Sequence, residues 1–165
     1  DLVVGVYEDK PLKGPHSVNI TNGDIFFTDS GSFGETGLHS PTGSLFTISN
    51  SPSGQILKPI ALETLAYPSG IAVSPDGRFI YVAEMMANRV LRFFQQPSGV
   101  FHASVFHQLS GGVGPSCLAL DPQSGHLYVG QYDTKESSAE GAIHVLSAGG
   151  KLLSHILTPS GPEVS

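Results

Sequence analysis

Residues 67–94 read YPSGIAVSPDGRFIYVAEMMANRVLRFF, and their apolar positions fall into three short runs, 71–73, 79–83 and 89–94, parted by turn residues. Runs this short, rich in β-branched and aromatic side chains and bounded by Pro, Gly, Asn or Asp, predict strands and not helix. Between the first two runs stands Pro75-Asp76-Gly77. Proline presets the first corner of a turn and glycine supplies the positive φ, so a hairpin is expected there.

The same pattern occurs three times. Aligned on the proline that opens each first strand, the copies begin at Pro15 (GPHSVNITNGDIFFTDS), Pro68 and Pro115 (GPSCLALDPQSGHLYVGQ), and a fourth opens at Pro162 (GPEVS), with spacings of 53, 47 and 47 residues. A period near 50 built of short strands is the mark of propeller blades. The expected fold is all-β, with three four-stranded blades at 15–66, 67–114 and 115–161. Residues 1–14 then hold the outer strand of a preceding blade, over 2–7, and 162–165 begin the next one. In the first blade Asn22-Gly23 is a hairpin signal, residues 53–54 form a later turn, and 29–42 make a long polar loop of the kind that carries function or moves. Val18, Ile71 and Leu118 are equivalent, as are Phe26, Tyr81 and Tyr128, and Leu45, Val90 and Ile143; all nine are expected to pack between blades. Three blades do not close a ring. The expectation is about half of a six-bladed protein, completed by further blades or by a second chain, because uncovered sheet faces and strand edges invite association.

Composition narrows the functions. The 165 residues carry 13% charged side chains, 20 Gly, 12 Pro and a net charge of −6. So many backbone breakers fit many tight turns. No basic run offers itself to nucleic acid or anionic lipid, and no apolar stretch approaches the roughly 18 residues of a membrane span. Cys117 is the single cysteine; it has no internal disulfide partner and reads as a buried, inert thiol. Asn19-Ile20-Thr21 matches a glycosylation pattern but falls in an inner strand. His102, His107, His126, His144 and His155 show no metal-ligand spacing.

FFTDS at 26–30, TGSLF at 42–46, the 67–84 segment and NRVLRFF at 88–94 resemble the strictosidine synthase-like family. GAIHVLSAGGKLL at 141–153 and TPSGPEVS at 158–165 resemble the regucalcin and gluconolactonase family. The two belong to one superfamily of six-bladed, calcium-associated propellers, and the resemblance covers essentially the whole chain. It implies a small-molecule pocket at one mouth of the central channel. Lactonase members hold a divalent cation there through Asn, Asp and Glu, the oxygen donors a hard ion prefers. The matching positions, just after each opening proline, are His16 with Ser17, Ser69, and Ser116. None is a carboxylate or amide, so no metal ligand is assigned; a cation such as calcium would depend on ligands from the missing blades. The strictosidine synthase branch uses a glutamate and no metal.

On this resemblance His16, Ser17, Ser69 and Ser116 surround the channel mouth, as substrate-binding groups with His16 as a proton carrier. The alternative is that they satisfy loop backbone groups. Asp29, Glu84 and Gln131 are equivalent at the ends of the second strands. Glu84 beside Met85 and Met86 is a candidate acid or base, and Asp29 and Gln131 are candidate binding groups; the alternative for all three is capping of the following loop through backbone hydrogen bonds. Met85 and Met86 either line an apolar pocket or pack. Two functions are therefore in view. One is an enzyme hydrolysing a lactone or ester, or performing a strictosidine synthase-like condensation, on a small molecule. The other is a non-catalytic propeller that binds a ligand or protein. Fold alone does not choose between them.

Overall fold

The computed structural model describes residues 4–133, 141–159 and 164. Among them lie three four-stranded antiparallel sheets and one two-stranded ribbon. The ribbon pairs β1 (Val6–Tyr7) with β2 (Lys10–Pro11). The first blade contains β3 (Pro15–Thr21), β4 (Asp24–Asp29), β5 (Gly43–Ser51) and β6 (Gly54–Leu65). The second contains β7 (Pro68–Val73), β8 (Phe79–Glu84), β9 (Arg89–Gln95) and β10 (Phe101–Gln108). The third contains β11 (Gly114–Leu120), β12 (Leu127–Tyr132), β13 (Gly141–Leu146) and β14 (Leu152–Thr158). Strands in each sheet are neighbours in chain order, the meander of a propeller blade. The helical element among the described residues is one 3₁₀ turn, Met85–Ala87.

The turns follow from their residues. Asn22 and Gly23 both take positive φ, 54° and 85°, and join Thr21 to its partner Asp24, as a type I′ turn requires. At Pro75-Asp76-Gly77 the Asp76 carboxylate accepts from the Ser74 hydroxyl at 2.5 Å and from the Arg78 N–H at 3.1 Å, while Gly77 has φ 73°. These bonds hold the Asp76 carboxyl below the usual carboxylate range, the Ser74 bond contributing most. Two expectations are corrected. The turn between β5 and β6 is Pro52-Ser53, because Ser51 pairs with Gly54. The N-terminal segment is a hairpin and not a single strand over 2–7, of which residues 2 and 3 lie outside the described residues. Glu8 and Asp9 adopt φ 48° and 63°, a left-handed pair that a sequence without Asn or Gly does not announce.

Two apolar clusters fill the joints between blades. Phe26, Leu45 and Leu65 pack against Ile71, Ile80, Val82, Leu91 and Phe93 between the first and second. Ala72, Tyr81, Val90 and Leu109 pack against Leu127, Val129 and Leu146 between the second and third. Each large side chain buried this way contributes roughly 1.5–3 kcal/mol. At a third cluster Tyr7 and Leu12 of the ribbon cover Phe27, Phe46 and Ile48, with the Tyr7 and Phe46 rings 5.4 Å apart.

Val18 departs from the expected packing. It is 64% exposed and Ile20 is 69% exposed, whereas the equivalent Ile71 is buried. Val18 pairs with Phe27, on the face turned away from the second blade, which the ribbon covers at Phe27, Phe46 and Ile48 but which no four-stranded sheet covers among the described residues. Tyr128 and Ile143 are half-buried for the corresponding reason at the other end. Pro162, the opening of the fourth repeat, lies outside the described residues.

Gly114 and His144 make the outer joint sensitive to substitution and to pH. Gly114 has φ 150°, and a Cβ there would stand 2.1 Å from the Met85 carbonyl oxygen. His144 is buried. Its Nε2–H donates to the Gln131 side-chain oxygen at 2.6 Å, its Nδ1 has no partner among the described residues, and the His155 ring stands 4.6 Å away. Burial, then the neighbouring His155 and His107, hold its pKa below the ordinary histidine value.

Gly114→Ala is expected to lower stability by about 1–3 kcal/mol or more through overpacking and backbone strain, read as a fall in urea midpoint. For His144 the unfolded chain binds the proton more readily than the folded one. Its contribution is therefore complete above the unfolded pKa near 6.5 and falls as pH drops toward the lowered folded value. Urea midpoints at pH 7.5 and 5.5 should show a larger acid loss for the native sequence than for His144→Asn.

Candidate functional site at the inner-strand mouth

The inner strands β3, β7 and β11 lie side by side, with β7 between the other two. Each carries a β-bulge immediately after its opening proline. The register shifts between Pro15 and Val18, between Pro68 and Gly70, and between Pro115 and Cys117. The extra residue falls at His16-Ser17, at Ser69 and at Ser116, so the bulge re-aims the same position in every blade.

That position links the first blade to the second and the second to the third, and in the third blade it bonds to Val164. The His16 ring bonds through Nδ1 to the Ser69 carbonyl at 2.7 Å. Ser69 Oγ donates to the Pro115 carbonyl at 2.8 Å, and Ser116 Oγ donates to the Val164 carbonyl. A carbonyl can only accept, so the first bond places the His16 proton on Nδ1. Nε2 is then the lone-pair nitrogen of the neutral ring. Ser69 also reaches the Ala83 carbonyl at 3.3 Å, and Ser116 reaches that of Gly130 at 3.2 Å. Both hydroxyls are engaged as donors. The Ser17 side chain takes no part in these links; its N–H donates to Thr28 Oγ1 at 3.1 Å.

One layer out, the ends of the second strands hold the segments that cross between blades. Asp29 accepts from the Lys13 N–H at 3.0 Å and the Gly14 N–H at 2.6 Å. Glu84 accepts from the Ala66 N–H at 2.7 Å and from Arg89 Nε at 2.6 Å. Gln131 donates its amide to the Gly111 carbonyl at 2.9 Å. Asp29, Glu84 and Gln131 are each at least nine-tenths buried. Each thus fastens the backbone just ahead of an opening proline, and not the loop that follows its own strand.

Above the inner strands lies a recess of about 330 Å³ walled by His16, Phe33, Tyr67, Met85, Ser116 and Tyr132. His16, Ser116 and Met85 belong to the sequence-based candidates; Ser17, Ser69, Asp29, Glu84 and Gln131 stand behind or beside this wall. Phe33, Tyr67 and Tyr132 are additions that the sequence reading missed. Tyr67 has φ 56°, a left-handed conformation uncommon outside glycine and costing on the order of 1–3 kcal/mol. Its carbonyl is held by the Met85 N–H at 3.1 Å. Its ring meets Phe33 edge-on at 5.2 Å and His16 edge-on at 5.8 Å. Phe33 rides on the loop 30–42, which is pinned beneath by buried Thr36: its Oγ1 donates to the Leu65 carbonyl at 3.5 Å and accepts from the Thr42 N–H at 3.0 Å. An aromatic residue in an otherwise polar loop was the available signal for Phe33; the strain at Tyr67 had none.

These residues do not suit a hard cation. The serines at the mouth offer a hard cation only neutral hydroxyls held by bonds to carbonyls, and the Asp29 and Glu84 carboxylates are committed to backbone N–H groups and Arg89. No group of three His, Cys, Asp or Glu among the described residues has the geometry to hold a metal.

A four-stranded meander blade repeated with the inner strands side by side defines the sheet arrangement of a β-propeller. The sequence pattern of the SMP-30/Gluconolactonase/LRE-like region matches residues 17–165, and the chain belongs to that family. The assignment falls on the gluconolactonase side of the resemblance. Lactonase drp35 of Staphylococcus aureus (strain MRSA252) is 27% identical over 147 residues, covering 87% of this chain and 41% of that protein. A solved gluconolactonase from Xanthomonas campestris is 27% identical with a TM-score of 0.73, covering 97% of this chain and 52% of that one. Regucalcin from Agrobacterium tumefaciens, described as a calcium-binding protein, shares the fold at 23% identity and TM-score 0.61, over 81% of this chain and 41% of that one. The chain thus spans about half the length of these relatives or less.

Glu84 makes the strongest of the three fastenings, since its loss strands Arg89 and the Ala66 N–H together. Glu84→Ala is expected to cost about 3 kcal/mol, at the lower end for a broken buried pair because Arg89 is partly solvated. Glu84→Gln, which keeps an acceptor for Ala66, should cost less. Chemical denaturation of the three proteins tests the order.

Proposed function

We propose that the chain supplies half of the active-site mouth of a lactone or ester hydrolase acting on a small molecule, with His16 as the proton carrier. The observation that carries this reading is the His16 ring itself. Its Nδ1–H is tied to the Ser69 carbonyl at 2.7 Å and its ring forms part of the recess wall. That leaves Nε2 as the basic atom, the arrangement a general base needs. Similarity to proteins named lactonase and gluconolactonase supports the reaction class.

In the proposed step a water oxygen attacks the lactone carbonyl carbon as its proton passes to His16 Nε2. Collapse of the tetrahedral intermediate breaks the ring carbon–oxygen bond, and the Nε2 proton goes to the departing oxygen, giving the hydroxy acid. Water is favoured over serine as nucleophile because the Ser69 and Ser116 hydroxyls already donate to carbonyls. Ser116 shapes the floor, while Ser17 and Ser69 keep the inner strands in place beneath it. Asp29, Glu84 and Gln131 act through the crossing segments they hold. A condensing reaction of the strictosidine synthase type has less support, since both Glu84 oxygens are engaged away from the recess. A divalent cation would take its ligands from polypeptide beyond this chain, either further blades or a second chain seated against the Val18 and Ile20 face.

His16→Ala in the intact protein is expected to lower kcat for lactone hydrolysis by about 10²–10⁴-fold, the usual range for a general base, with a small fall in unfolding midpoint because the ring is exposed but its bond to the Ser69 carbonyl is lost. An unchanged kcat would remove His16 from the mechanism. No hydrolysis by the native protein of any lactone or aryl ester, with or without calcium, would leave the non-catalytic propeller as the reading to pursue.

A further inference from the structure

The joint between the second and third blades holds a buried group that takes no part in the mouth. The His144 ring is 8% exposed, and its hydrogen bonding fixes where its proton sits. The Gln131 amide nitrogen donates to the Gly111 carbonyl at 2.9 Å, which leaves the amide oxygen facing His144 Nε2 at 2.6 Å. An amide oxygen only accepts, so the proton is on Nε2 and the lone pair is on Nδ1. That Nδ1 is buried and has no partner among the described residues. A buried acceptor left unpaired costs free energy. Burial also disfavours the imidazolium, so the lone pair is available at neutral pH.

A second imidazole stands beside it. His144 and His155 are direct cross-strand partners on β13 and β14, with ring centroids 4.6 Å apart at 69°. His155 is exposed and makes no hydrogen bond among the described residues, so its ring is free to turn a nitrogen toward His144. Two nitrogens that share a tetrahedral ion at about 2.0–2.1 Å each stand roughly 3.3 Å apart, a separation within reach of rings this close. The Gln131 oxygen on the opposite N–H is the kind of outer partner that fixes the tautomer and orientation of a metal-binding histidine. Nitrogen donors without carboxylates suit neither calcium nor magnesium, and they do suit zinc and copper. The joint's third histidine, His107, is committed through Nδ1 to the Gly150 carbonyl at 2.9 Å. No short motif announces the pair, because the hairpin and its bulge between Val145 and Leu146 set the register.

We propose that His144 Nδ1 and His155 form a two-imidazole site for a divalent ion of the zinc and copper class, with water completing the coordination. The ion gives the buried Nδ1 its partner and cross-links the two outer strands of the third blade. Two protein donors are fewer than the three or four of catalytic and structural zinc sites, so the ion is exchangeable. The site lies away from the mouth and is independent of the hydrolase reading.

The test is metal binding by the intact protein, stripped with chelator and then held in excess calcium so that oxygen-lined sites are filled. Zinc chloride would be titrated by calorimetry, and copper(II) added for electron paramagnetic resonance. Expected are a zinc-binding event that survives the calcium, nitrogen hyperfine structure in the copper spectrum, and an unfolding midpoint that rises with zinc because the ion binds the folded state. His155→Ala, an exposed site where folding is not at stake, should weaken zinc by about tenfold or more, at least the scale of a lost outer partner, and should abolish the rise in midpoint. His107→Ala should leave zinc affinity unchanged. The absence of zinc binding in excess calcium, or His155→Ala binding zinc as tightly as the native protein, would overturn the site. A loss in His107→Ala equal to that in His155→Ala would overturn the assignment of its two ligands.

Discussion

The structure depends on how each blade's outermost strand is returned to the axis. The chain must cross from the rim of one sheet to the inner edge of the next, and the crossing backbone carries polar groups that no strand pairs. A buried side chain at the end of the second strand satisfies them: Asp29 for Lys13 and Gly14, Glu84 for Ala66, Gln131 for Gly111. The three differ in charge and even in direction, since Gln131 donates where the others accept. What is shared is the geometric demand. Satisfied, it sets where each opening proline stands, hence where the bulge falls, hence which residue reaches the mouth.

The repeat was legible because its determinants are local. A proline before each inner strand, turn pairs such as Asn22-Gly23 and Pro75-Asp76-Gly77, and short β-branched runs act over a few residues, and a period of about 50 is visible without knowing what touches what. Inter-blade packing was legible for Phe26, Ile71, Tyr81, Leu45 and Val90, whose neighbouring sheets are present, and not for Val18, whose equivalents Ile71, buried, and Leu118, half-buried, pack against a preceding blade. Burial at that position is a property of the ring and not of the strand. The left-handed Glu8-Asp9 pair escaped notice because its turn rests on residues with no strong preference for it.

The candidate site was half legible. Positions equivalent by repeat, His16, Ser69 and Ser116, could be lined up in sequence and form a connected series at the mouth. The aromatic part could not. Phe33, Tyr67 and Tyr132 come from a loop, a crossing segment and a second-strand end, three places related by no common offset from the repeat. Their convergence is decided by the closeness of the inner strands. A Cβ on Gly70 would meet the Cys117 backbone at 3.0 Å, so β7 and β11 approach nearly as tightly as backbone allows, and the residues at their ends are brought into one wall.

The links between the inner strands of the three blades have a direction: a side chain of one blade serves a main-chain carbonyl of the next. Because the acceptor is backbone, it is present whatever the neighbour's side chain. Imidazole and hydroxyl both fill the donor's part here. The framework thus asks only for a proton at that spot and is indifferent to the rest of the group that supplies it. Such a position can exchange one reactive side chain for another while the ring around it stays folded, which gives the lineage a place to alter chemistry without rebuilding architecture.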